Sequence, residues 1–277
     1  MKLIADSGST KTAWAVAENP MHVIKTDGIN PIFMDSDTIE NTLRNQLLPN
    51  LSQTITEVYF YGAGCANQEK NDVVKQALQA VFGDIKIEIA SDLLGAARGL
   101  CKHQDGIACI LGTGSNSCLY KNGNISWNVP ALGFILGDEG SGAVLGKLLM
   151  GNLFKHQLPD EVKTDFEQTY GLGMMDVIEK VYRQPLPNRF LASFGPFIAK
   201  HMAVPEVYNM VYGALESFII RNVKQYPYQE LPVNFTGSIA FYFADILHDL
   251  ASKHHFKIGR IDKDPLHGLV DFHLKDS

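Results

Sequence analysis

The chain has 277 residues, 45% of them apolar and 19% charged, enough to bury one large core or two ordinary ones without disulfide or metal staples. Its 24 basic and 30 acidic side chains leave a formal charge of −6, which argues against nucleic-acid and anionic-membrane partners, because both select a basic face. Cys65, Cys101, Cys109 and Cys118 form no C-x-x-C pair and have apolar or glycine-rich neighbours, so they read as buried thiols in a reducing compartment. An acidic residue at position 6 and the lack of an eighteen-residue apolar run argue against a signal peptide and a membrane span; the expected location is the cytoplasm.

Along the chain, strands are expected at 2–5, 12–17 and 22–26, with a Gly/Ser/Thr turn at 6–11 and a stop at Asp27–Pro31. A helix over 36–49, capped by Ser36 or Asp37, leads to a strand at 58–61 and the turn Gly62–Gly64. Val73, Val74, Ala77, Leu78 and Val81 recur at helical spacing within 67–82. A strand at 86–90 and a helix at 93–102 complete a first unit built on a mixed sheet. Strand, polar glycine turn and strand then recur at 107–121, followed by a hairpin at Asn122–Asn124 and a strand at 125–129. The middle is mostly helical, most clearly at 205–225. A strand at 233–235, a helix from 238 to about 255, a strand near 258–261 and a helix after Pro265 close the chain.

Five short segments could carry chemistry. DSGSTKT at 6–12 lies between two strands, where successive backbone N–H groups can cradle phosphate oxygens; Ser9, Thr10 and Lys11 add donors and Gly8 allows close approach. Asp6 would repel phosphate unless Mg²⁺, held through water, lies between them; the alternative is a tight hairpin with a capping Asp. LGTGSN at 111–116 repeats the theme, and two such turns fit two halves gripping one triphosphate. Asp92 ends a strand and starts a helix, a place suited to a general base or to an N-cap, and position alone favours the cap. LGFILGDEGSG at 132–142 sets Asp138 in a glycine-rich turn that could bind a polyol; the alternative is a loop whose Asp138 or Ser141 caps the next helix. FTGS at 235–238 is a strand-to-helix turn in which Gly237 would let a flat ring approach. The nine histidines include no metal-ligand spacing, and there is no P-loop, nucleophile elbow or dinucleotide fingerprint.

Taken in order, DSGSTKT, GINP, IASDLLGAARG, LGTGSNS, LGFILGDEGSG and FTGS resemble the motif series of N-acetylglucosamine kinases, within the BadF/BadG/BcrA/BcrD-type ATPases of the actin/hsp70/sugar-kinase fold. The series spans residue 6 to about 240. The loop before GDEG lacks the Trp or His of some relatives. The resemblance implies an α/β fold of two ribonuclease-H-like (actin-like ATPase) domains, 1–106 and 107–277, with a nucleotide cleft between them and the last helix free to return to the first. It implies ATP and Mg²⁺ as cofactors and a small sugar as substrate. Asp6, Gly8, Ser9, Thr10 and Lys11 would serve phosphate and metal, and Gly112, Thr113 and Gly114 a second phosphate turn. Ser193, Gly237 and Ser238 would lie on the adenine side, and Asn30, Asn116, Gly133 and Asp138 would hold the sugar. Asp92 would be the base, displacing its reading as a cap alone. An iron–sulfur activator ATPase would need bridging cysteines, and a non-catalytic sugar sensor on this fold would usually need a DNA-binding segment. A homodimer is the default assembly.

Overall fold

The computed structural model describes residues 1–8, 10–17 and 21–275. Its elements run β1 (Lys2–Ser7), β2 (Lys11–Val16), β3 (His22–Asp27), α1 (Ser36–Thr42), β4 (Glu57–Gly62), α2 (Gln68–Phe82), β5 (Lys86–Ser91) and α3 (Asp92–Cys101). There follow β6 (Gly106–Leu111), β7 (Ser115–Lys121), β8 (Asn124–Val129), α4 (Gly133–Leu136), α5 (Gly142–Phe154), α6 (Asp160–Tyr170), α7 (Met174–Tyr182) and α8 (Pro187–Ala192). The chain closes with α9 (Gly195–Lys200), α10 (Pro205–Arg221), β9 (Val233–Thr236), α11 (Ser238–Tyr242), α12 (Ala244–His254), β10 (Ile258–Asp262) and α13 (Leu266–Lys275). Two compact units result. The first holds Met1–Asp105, the hairpin tip Tyr120–Ile125 and the chain from Asp264 onward; the second holds Gly106–Leu119 and Ser126–Lys263.

The first unit's sheet has the order β3-β2-β1-β4-β5. β1 is antiparallel to β2 and parallel to β4, and β4 is parallel to β5, so three strands end together at Ser7, Gly62 and Ser91. Alternation along β1 sends Leu3 and Ala5 to a core with Trp14, Phe60, Ile39 and Leu78, under α1 and α2. Ile4 turns to the other face, where Tyr59, Tyr61, Leu266 and Leu269 form a smaller core beneath α13. The second unit's sheet has the order β10-β9-β6-β7-β8, with β6, β9 and β10 parallel, and one large core gathers Cys109, Phe166, Phe218, Phe235 and Leu250.

Three expected helices differ from what is observed. The first is capped by Asp35, whose Oδ1 accepts the Thr38 N–H at 2.9 Å, rather than by Ser36 or Asp37. It is α-helical only to Thr42; a wider turn over Leu43–Leu47 and a tight one over Leu48–Asn50 follow, since Pro49 has no N–H to continue an i→i−4 ladder. The helix from 205 ends at Arg221, with a separate turn at Val223–Gln225. The helix from Ser238 breaks at Phe243, whose ring is buried in the core.

α3 and α13 meet with almost no space between their backbones. A Cβ on Gly268 would stand 2.0 Å from the Gly99 carbonyl oxygen, and one on Gly99 would stand 2.7 Å from the Pro265 carbonyl oxygen. Neither neighbour is a side chain that could swing aside. We therefore expect Gly268→Ala to cost about 2–4 kcal/mol of stability by overpacking, read as a lowered denaturant midpoint. A wild-type midpoint would show that the two helices are not packed this closely.

Candidate active site

In the first unit the carboxyl ends of the parallel strands carry the polar residues, as open α/β sheets do. Asp6 pairs in register with Tyr61, and Tyr61 with Ala90, two residues before Asp92. Asp6 shares the face of Ile4, so it looks toward the α13 side, whereas Ser7 is buried on the opposite face. The turn after Ser7 is closed by the Gly8 N–H on the Lys11 carbonyl at 3.0 Å, and its outer side is tied down by the Gly28 N–H on the Thr10 carbonyl at 3.1 Å. Gly8, Thr10 and Lys11 are exposed, and Ser9 lies outside the described residues.

The remaining two residues of that motif have a structural task that sequence reasoning missed. The Ser7 and Thr12 hydroxyls bond each other at 2.7 Å; Ser7 donates to the Ile29 carbonyl at 2.9 Å, and the Ile29 N–H points at both hydroxyls at 3.2 Å. This fixes the GINP loop against the strand turn and places Asn30. Asn30 is buried, its Oδ1 accepting the Ile32 N–H at 3.0 Å. Gly64, at φ +85°, lies against it so closely that a Cβ would stand 2.2 Å from that oxygen.

The helix-start question at Asp92 is answered by its neighbour. Ser91 is the N-cap of α3, its Oγ accepting the Leu94 N–H at 3.2 Å, so the capping role expected of Asp92 belongs one residue earlier. Asp92 is the first helical residue and its Oδ1 accepts the Leu93 N–H at 2.8 Å. Burial raises its proton affinity, and that hydrogen bond offsets the rise in part. Asp6 is pushed up to about 7, first by burial, then by the negative charges of Asp264 and Asp92, with Lys11 opposing. Asp264 carries no motif signal, because it lies beside Asp6 only through the return of α13.

In the second unit, the turn Gly112–Gly114 is closed by the Gly112 N–H on the Gly114 carbonyl at 2.9 Å, with Thr113 exposed. The head of α5 is built onto it: the Gly142 and Ala143 N–H groups bond the Gly112 and Thr113 carbonyls at 2.8 and 3.0 Å. Ser141 caps that helix through the Val144 N–H, leaving Asp138 free of the capping role. Asp138, at φ +53°, accepts the Ser115 N–H, and burial raises its proton affinity. A Cβ on Gly114 would stand 3.0 Å from its Oδ2, so the second turn and the acidic loop meet at a glycine. Asn116 is half-buried and its Oδ1 accepts the Ser117 N–H at 2.9 Å. Glu139 does not join Asp138; it bonds Arg221 and Asn222. Gly133, at φ +73°, opens the single turn α4 among exposed Leu132, Ile135 and Leu136. Gly237 lies over the end of β6, and Ser238 begins α11. Ser193 is exposed at the end of α8, its hydroxyl donating to the Phe190 carbonyl at 2.6 Å.

All four cysteines are buried thiols outside any disulfide. Among the described residues, no three His, Cys, Asp or Glu side chains are grouped to ligate a metal directly, and no helix is long and apolar enough to cross a membrane.

No protein-family model matches the chain, and no curated protein matches it. Solved structures do. The chain has the two-unit α/β architecture of actin-like ATPases: it is similar to MreB 5 of Spiroplasma citri bound to AMPPNP, at TM-score 0.58 and 9% identity, covering 99% of this chain and 95% of that one. A "putative N-acetylglucosamine kinase" from Chromobacterium violaceum aligns at TM-score 0.75 and 18% identity, covering 98% of both chains. The "putative N-acetylglucosamine kinase" of Porphyromonas gingivalis aligns at TM-score 0.96 and 46% identity, over 100% of this chain and 99% of that one. The chain belongs to this N-acetylglucosamine kinase-like family of the actin/hsp70/sugar-kinase fold.

Proposed function

We propose that the chain is an ATP-dependent sugar kinase that phosphorylates a hydroxyl, the 6-hydroxyl, of an amino sugar, with N-acetylglucosamine as substrate. The observation that carries this reading is Asp92. It is a carboxylate of raised proton affinity at the end of β5, in the same unit as the phosphate-type turn that begins at Asp6. The sugar oxygen bonds to the γ-phosphorus, the bond to the β–γ bridging oxygen breaks, and the hydroxyl proton passes to Asp92. The kinship at 46% identity supports the same reading.

The chain's other residues bind and orient. Gly8, Thr10 and Lys11 in the first unit, with Gly112, Thr113 and Gly114 in the second, serve phosphate oxygens through N–H groups, hydroxyls and one ammonium. Asn30, Asn116 and Asp138 serve sugar hydroxyls, and Gly133 leaves room at the loop; Ser193, Gly237 and Ser238 serve the adenosine. The donor set fits a nucleotide-borne Mg²⁺. Carboxylates crowd one another around Asp6 with Lys11 opposing, and among the described residues no three ligands are grouped for an all-protein cage. Mg²⁺ keeps much of its water and is commonly held by one or two carboxylates plus substrate phosphates. When bound, it neutralises charge developing on the transferred group.

A coupled assay of ADP release across glucosamine, N-acetylglucosamine, N-acetylmannosamine, N-acetylmuramic acid and glucose tests the proposal. We expect release that depends on sugar, with the highest kcat/KM for N-acetylglucosamine. ADP release indifferent to every sugar would overturn the kinase reading, and a different best sugar would overturn the substrate alone.

A further inference from the structure

We propose that Asp264 is a second carboxylate, beside Asp6, facing the divalent cation that accompanies the nucleotide. The inference rests on the kinase reading above, and extends it to a residue outside every motif that supports it.

Three observations place Asp264 there. First, Ile4 packs with Leu266 and Leu269 in one core, and Asp6 follows Ile4 on the same face of β1. Asp264 stands two residues before Leu266, at the head of α13 and hence toward the carboxyl end of the sheet. Second, that position is held firmly. The glycine crossing of α3 and α13 leaves no room for sliding, and the Asp264 Oδ1 accepts the Leu266 N–H at 3.2 Å across Pro265. Third, the Asp6 carboxylate accepts no hydrogen bond among the described residues, and the Lys2 ammonium donates to the His273 carbonyl at 2.7 Å, so α13 runs antiparallel to β1 with its head toward the Asp6 end.

A recessed carboxylate with no N–H donor and two like charges beside it is unfavourable by itself. A divalent cation converts that arrangement into an attractive one. The three aspartates are not grouped for direct joint ligation, so Asp264 acts on the cation's water shell, as suits Mg²⁺. Asp92 keeps the proton-accepting role through its second carboxylate oxygen, since its Oδ1 accepts the Leu93 N–H at the start of α3.

The test measures Mn²⁺ binding by electron paramagnetic resonance in the presence of saturating ADP, for wild type, Asp264→Asn, Asp264→Ser and Asp6→Asn. Asparagine keeps an acceptor for the Leu266 N–H, and serine can make the same local turn with its hydroxyl, so neither removes the helix-head contact. We expect both Asp264 variants to bind Mn²⁺ at least about tenfold more weakly than wild type, while affinity for ADP without metal stays equal or rises. If both match wild type while Asp6→Asn loses Mn²⁺, Asp264 merely heads its helix; this inference fails and the kinase reading stands. A wild-type chain that binds no Mn²⁺–ADP would overturn both.

Discussion

Asp92→Asn is expected to lower turnover by about 10²–10⁴-fold, the usual range for loss of a general base, which is about 3–5 kcal/mol of barrier. The substitution is well separated from folding. Asparagine keeps the oxygen that accepts the Leu93 N–H, and the cap of α3 belongs to Ser91. Nucleotide affinity should therefore remain within about twofold and the melting temperature within a few degrees. A second readout is the acid limb of the pH–rate profile. Asp92 must be ionised to accept the proton, and burial raises its proton affinity, so activity should fall with falling pH at a higher pH than for an ordinary carboxylate. That limb should be missing from whatever activity the variant retains. Wild-type turnover in Asp92→Asn would remove this residue from the chemistry.

Gly237→Ala should unfold or severely destabilise the second unit, by roughly 3–5 kcal/mol. Gly237 has φ +111° and ψ 161°, a region essentially confined to glycine, where strain alone costs about 1–3 kcal/mol. Space adds to that cost. A Cβ would stand 2.3 Å from the Leu111 carbonyl oxygen and 2.7 Å from its carbon, both backbone atoms at the end of β6, so the β6–β9 pairing must open to admit it. Gly151→Ala is the internal control: Gly151 lies within α5, has nothing within 4 Å of its added Cβ, and should gain up to about 1 kcal/mol from helix propensity. Equal denaturant midpoints for the two variants would contradict the geometry at Gly237. Because Gly237 sets the turn into Ser238, residual folded Gly237→Ala should also bind nucleotide more weakly if this turn serves the adenosine.

Much of the candidate site is written as motifs, because chemistry that needs backbone N–H groups, hydroxyls and small residues must be carried by consecutive positions. The DSGSTKT and LGTGSN turns follow strands β1 and β6 as their apolar runs require. The roles inside a motif were less legible. Nothing in the string DSGSTKT says that Ser7 and Thr12 turn inward to hold Ile29 while Thr10 and Lys11 stay outside; only the pleat of β1 and β2 sorts them. Likewise Ser91 and Asp92 both cap helices well, and the backbone of α3 decided that the serine caps, leaving the aspartate for other work.

The sequence by itself determined the strands, most helices, the glycine turns and the kinship, since period, turn chemistry and motif order are all local quantities. Tertiary structure decided what depends on distance between remote segments. It decided which sheet face Asp6 shares with α13, and it set Gly99 against Gly268. It also brought the unremarkable Asp264, some 250 residues downstream, to bear on Asp6. The physical reason is that electrostatic and packing energies depend on separation in space, and no window of neighbouring residues contains that separation.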